Sequence, residues 1–167
     1  MTPEQAEMYK SLSTIISDPN TASFHLIDEK NSLSKDILFG DNGTAVDSHG
    51  NSVSATPGVH TIDMGDIKNL GTTGIETAQA MLGHEFEEGY QIQVKGMGGD
   101  DAHYGPAITT ENKINGYNRL ATRGRADMAG NTVVLSFDIG SGKVQTVTIN
   151  TTNNNFQSIN VDNNQVQ

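Results

Sequence analysis

Three side chains capable of metal and acid–base chemistry lie within five residues: His84, Glu85 and Glu88, in the pattern H-E-x-x-E. In a helix, residues four apart share a face, so His84 and Glu88 point the same way, one turn apart. An imidazole nitrogen and a carboxylate oxygen are both good zinc ligands. Glu85 sits beside that stripe, where it could hold a water. The H-E-x-x-H metalloprotease motif uses this geometry, with a second histidine where Glu88 stands. The plainer alternative is a solvated helix face that happens to carry a histidine and two glutamates.

Composition limits what can complete such a site. The chain has no cysteine, so a metal would have to be held by His, Asp or Glu. Ten basic and twenty acidic residues give a formal charge of −10. That average surface repels a phosphate backbone and argues against nucleic-acid binding or nuclease activity. Arg119, Arg123 and Arg125 are too few to reverse the argument. No apolar run approaches the roughly 18–20 residues that span a bilayer, and the segment from Met1 to Glu7 lacks the basic start and apolar stretch of a signal peptide. The 167 residues are expected to form one domain. A hydrophobic fraction of 34% and 18 glycines imply a modest core with many turns.

The elements that must carry the motif can be read from periodicity. Thr2 caps a first helix over 3–16, with Pro3 in its first turn. Residues 23–28 alternate as a strand. Residues 29–57 are rich in turn residues around Asp41 and Asp47, whose spacing does not match an EF-hand loop. Residues 59–66 read as a second strand with His60, Ile62 and Met64 on one face. On it His60 and Asp63 are expected to be structural or solvent-facing rather than ligands. Thr73 and Glu76 make a capping box for a helix over about 74–94. Ile75, Ala78, Leu82 and Phe86 form its core face, and Met81, His84, Glu85, Glu88 and Ile92 form a stripe at the core's border. A flexible connection over 96–101 leads to a helix over about 104–120, with His103 at its entrance and Pro106 in its first turn. Residues 131–150 form a hairpin about Gly140 and Gly142, with Val133, Leu135, Phe137 and Ile139 on one face. An edge strand over 156–161 precedes a tail expected to be partly disordered.

The strand over 59–66, the helix bearing H-E-x-x-E, the run from Ala102 and His103 to Ala107, and the triplet Thr110, Glu111, Asn112 follow in order. Over about residues 59–118 this resembles the zincin-like metallopeptidase domains at the C-terminal ends of bacterial polymorphic toxins, RHS-type toxins among them. Glu88 replaces the second histidine of the common zincin motif. The resemblance implies a zinc-dependent hydrolase acting on a protein in a target cell. It would be delivered there as part of a larger secreted protein, with a cognate immunity protein as partner.

For the site, the resemblance implies His84, Glu88 and His103 as zinc ligands and Glu85 as general base toward the attacking water. Eight residues of straight helix span about 12 Å, so His103 and Glu111 cannot both bind one ion directly from one such helix. With His103 in the entry loop, it is the third ligand, and Glu111 holds a ligand histidine by its other ring nitrogen. The alternative makes Glu111 the third ligand and gives His103 the task of polarising the substrate. Tyr90 and Tyr104 are candidate oxyanion donors, with core packing the plainer role for each. The expected fold is α+β: a small twisted, mainly antiparallel sheet packed on a few helices, zincin-like, with a C-terminal β-hairpin and the site between the 74–94 helix and the 103–118 segment. The rival reading is a degenerate zincin-like domain that binds metal or a partner protein without turnover.

Overall fold

The computed structural model describes residues 1–28, 37–38, 44–46, 52–54, 58–72, 74, 77–120, 128–129, 132–152 and 155–165. In chain order these form helix α1 (Pro3–Ser17), strands β1 (Phe24–Ile27), β2 (Ile37–Leu38), β3 (Thr44–Val46), β4 (Ser52–Ser54) and β5 (His60–Asp63), and helices α2 (Met64–Gly71) and α3 (Ala78–Gln93). Next come α4 (Gly99–Ala102), a π-helical turn (His103–Ala107) and α5 (Ile108–Asn115), then β6 (Asn118–Arg119), β7 (Met128–Ala129), β8 (Thr132–Asp138), β9 (Lys143–Thr152) and β10 (Asn155–Gln165). The fold is α+β with mainly antiparallel pairing.

The N-terminal helix starts at a full capping box. Thr2 Oγ1 accepts from the Gln5 backbone, and the Gln5 side chain accepts from the Thr2 backbone. β5 is the middle strand of a three-stranded sheet, parallel to β1 and antiparallel to β2. All four of its residues are buried, so His60 and Asp63 do not face solvent. A middle strand covered on both faces has no solvent side for alternation to mark. The strand expected over 59–66 ends at Asp63, whose carboxylate accepts from Gly65 N at 2.8 Å and turns the chain into α2.

Helix α3 begins four residues later than expected, after Thr77, whose hydroxyl accepts from Ala80 N at 3.1 Å. The capping box proposed at Thr73 and Glu76 lies outside the described residues, as do Ile75 and the turn residues about Asp41 and Asp47. The stripe placed at the core's border is the more deeply buried face: Met81, His84, Glu85 and Glu88 are buried, while Leu82 and Phe86 are only partly so. β5 meets that stripe at Glu85, α5 at His84, and the π turn at His84 and Glu88. Gly83 permits the approach, since a Cβ there would run into Ile114 of α5 and the Met8 sulfur of α1.

The helix expected over 104–120 is longer at its start and shorter at its end. Helical backbone runs from Gly99 to Asn115 and stops at Gly116, which takes the left-handed conformation at φ 78°. His103 is therefore inside a helical run, not in a loop before it. Pro106 has no N–H to donate and would clash with the carbonyl four residues back. The chain widens there into a π turn.

The second sheet has the order β10–β9–β8–β6, with β7 also on β8, all antiparallel. The expected hairpin is β8 and β9. β10 runs on to Gln165 in register with Lys143, so ladder pairing takes in residues assigned to a disordered tail. Leu135 and Phe137 of β8 join Ile62, Ile67 and Met81 in one core cluster. Burying a Phe or Ile side chain fully contributes about 1.5–3 kcal/mol, and Phe137 and Ile62 are both fully buried. That core sets α3 against both sheets.

Candidate metal centre

Helix α3 projects His84 and Glu88 from one face, one turn apart. The π turn brings His103 to the same point. His84 Nε2 lies 3.2 Å from Glu88 Oε2 and 3.0 Å from His103 Nδ1, and His103 Nδ1 lies 3.0 Å from Glu88 Oε2. Three donor atoms thus form a nearly equilateral triangle, a group able to hold a metal ion. Zinc bonds of about 2.0–2.2 Å to nitrogen and oxygen place tetrahedral ligand atoms about 3.3 Å apart. The triangle matches that spacing to within a few tenths of an ångström, and two imidazoles with one carboxylate suit zinc chemically. His84 is fully buried, whereas the His103 side chain is 21% exposed, so the triangle opens to solvent on the His103 side.

Behind His84 stands Glu111. Its Oε2 accepts from His84 Nδ1 at 2.7 Å and from Arg119 Nη1 at 3.0 Å. His103 and Glu111 therefore meet opposite edges of one imidazole ring. The two residues do not share a target atom, so the roughly 12 Å between them along a helix sets them in no conflict. The donor triangle contains His103 and not Glu111. With Nδ1–H directed at Glu111, a neutral His84 turns the lone pair of Nε2 into the triangle, as a ligand must.

The electrostatics reflect this crowding. Burial by itself would lower the His84 pKa, but hydrogen bonds to Glu111 and Glu88 outweigh it and push it up to about 10. Burial raises Glu88, yet His103 and His84 together hold it well below the usual carboxylate range. Burial likewise raises Glu111, and Arg119 followed by His84 brings it down to about 2. The neighbouring carboxylates thus favour a proton on His84, and Arg119 pairs with Glu111. A cation entering the triangle would compete with that proton.

Glu85 is almost fully buried on α3 and bonds His60 of β5, with Nε2 and Oε2 3.0 Å apart. It follows His84 directly along the helix. The expectation that Glu85 stands beside the stripe facing a water needs this correction: one oxygen is committed to His60. The other, Oε1, is buried with no hydrogen-bond partner among the described residues.

The two tyrosines separate. Tyr90 OH donates to Asp18 Oδ2 at 2.7 Å, with Lys95 Nζ 2.7 Å from the same oxygen. That commits the Tyr90 hydroxyl to a clamp between α3 and the end of α1. Tyr104 packs edge-on against His103, with ring centroids 4.6 Å apart, and stays beside the site.

The bonds from His60 to Glu85 and from Arg119 to Glu111 have no direct signal in the sequence. His60 is marked only by lying on a strand that precedes the motif helix. The stronger signal is Gly89, four residues after Glu85: a small residue there leaves room for a neighbour on the same helical face. Arg119 was counted only as one of a few positive charges. Comparison with known proteins finds no matching family model, no matching curated protein and no matching solved structure.

Proposed function

We propose that this chain is a zinc-dependent metallopeptidase domain, an effector that hydrolyses a peptide bond in a protein of the cell into which it is delivered. One observation carries the reading: His84 Nε2, His103 Nδ1 and Glu88 Oε2 converge within 3.2 Å while the far nitrogen of His84 is fixed by Glu111. The order of motifs along the chain, which resembles toxin-borne zincin-like domains, supports the effector role.

In this reading His84, Glu88 and His103 hold the ion and Glu111 orients His84. Zinc supplies a Lewis acid that polarises the substrate carbonyl and lowers the pKa of water to about 7. Glu85 takes a proton as the water oxygen bonds to the carbonyl carbon, then returns it to the amine nitrogen as the C–N bond breaks. Tyr104, next to His103, is the remaining candidate oxyanion donor. The second reading, a domain that binds metal or a partner without turnover, is favoured by one fact: Glu85 is only 1% exposed.

Elemental analysis tests the metal. Purified protein should carry close to one zinc per chain, and His84→Ala and Glu88→Ala should lose it. Glu88→His should keep it, since imidazole reaches from the same helical position. Zinc that is absent from the wild type, or unchanged in His84→Ala, removes the assignment. Expression in a bacterial cell then separates the two readings. Growth should be harmed by the wild type and restored by Glu85→Gln with zinc retained. Equal harm from both would exclude Glu85 as base, and a harmless wild type that holds zinc favours the domain without turnover.

A further inference from the structure

The buried contact between β5 and α3 has a part in the chemistry that the motif alone does not reveal. His60 is fully buried, and its Nε2 lies 3.0 Å from Glu85 Oε2. The ring reaches that carboxylate by lying over Gly89, one turn further along α3. A Cβ at Gly89 would stand 2.9 Å from His60 Cγ and 2.6 Å from Phe24 Cε1. Phe24 meets the His60 ring edge-on, with centroids 6.1 Å apart, and faces His60 in the β1–β5 register. Helix backbone, aromatic ring and strand pairing therefore hold His60 from several sides, and His60 in turn holds Glu85.

We propose that His60 is a positioning residue. It fixes one carboxylate oxygen of Glu85 so that the other, Oε1, is presented to the attacking water as the proton acceptor. This rests on the hydrolase reading above. An unpaired buried acceptor is costly unless something else meets it. Oε1 is buried and unpartnered among the described residues, on the residue that follows His84 of the donor triangle along α3. An oxygen left free there is what a general base requires. Holding the other oxygen keeps the reactive one from rotating away.

The test uses the full chain loaded with zinc, in the wild type, His60→Phe and His60→Gln. Phenylalanine keeps the ring volume over Gly89 and removes the N–H. Glutamine restores an N–H donor at about the reach of Nε2. Two probes are read beside zinc content and thermal midpoint: cleavage of a mixture of quenched fluorescent peptides, and binding of acetohydroxamate, a zinc chelator whose hydroxyl proton passes to an adjacent base. His60→Phe should keep zinc and KM while kcat falls about 10²-fold, and its hydroxamate affinity should fall about tenfold or more. His60→Gln should recover most of both. If His60→Phe equals the wild type in both probes, the inference is overturned and the hydrolase reading stands. It is also overturned if both variants lose zinc or stability alike, since His60 is then structural. A wild type that binds zinc but neither cleaves peptides nor binds hydroxamate removes the hydrolase reading, and this inference with it.

Discussion

Arg119 donates from Nη1 to Glu111 Oε2 at 3.0 Å, and that same oxygen accepts from His84 Nδ1 at 2.7 Å. Arg119 lies on β6, paired with Phe137 of β8. Asn112 Oδ1, one residue past Glu111, accepts from the Arg119 backbone at 2.7 Å. The C-terminal sheet is thereby tied to the His84 ring of the candidate metal site.

Arg119→Met should therefore weaken zinc binding without touching a ligand. Partners of this kind typically cost 10–100-fold in metal affinity when removed, and a loss of about that size is expected here. Arg119→Lys should recover part of it, since an ammonium supplies the charge but not the guanidinium fork. Competition against a chromophoric chelator measures both. Affinity equal to the wild type in Arg119→Met would show that Glu111 holds His84 unaided.

The clamp at Asp18 predicts an acid-dependent weakness where α3 meets the end of α1. The Lys95 ammonium, then the Asn20 backbone N–H and the Tyr90 hydroxyl, hold the Asp18 carboxyl well below its usual range. A carboxylate whose folded pKa lies below its unfolded value of about 3.9 stabilises the fold above that pH, and the contribution fades as pH falls further. The wild type should thus be more stable than Asp18→Asn at pH 6, with the gap closing as pH drops toward 2. Urea midpoints of the two proteins across that range provide the check, and a constant gap would contradict it.

Two glycines in helical backbone should respond in opposite directions to alanine. Gly83 faces Ile114 and Met8, with the Met8 sulfur 3.2 Å from a Cβ placed there. Overpacking of this kind costs about 1–3 kcal/mol, more than the roughly 1 kcal/mol that alanine gains over glycine in a helix. Gly83→Ala should be net destabilised, and Ile114→Val should relieve part of the loss. Gly99 has nothing within 4 Å of its Cβ position, so Gly99→Ala should be neutral or stabilising by up to about 1 kcal/mol. Chemical denaturation of the three variants decides; a Gly83→Ala protein as stable as the wild type would mean that α1 and α5 yield easily around α3.

Local periodicity by itself determined what lies within one helix or one hairpin. It placed His84 and Glu88 on one face, gave Thr2 its capping role, and paired the strands about Gly140 and Gly142. Each of these depends on residues a few positions apart, whose geometry the backbone sets. Tertiary structure alone decided the depth and neighbours of those faces. All four residues of β5 are buried, so Asp63 is covered as well as the face that alternation gives to His60 and Ile62. The α3 stripe lies deeper than Leu82 and Phe86 because β5, α5 and the π turn meet it. Pro106 widens one turn of helix so that His103 reaches His84, and Gly89 admits a ring from a strand 25 residues earlier in the bond to Glu85. Contacts across such separations depend on how elements pack, and no periodicity within either segment encodes them.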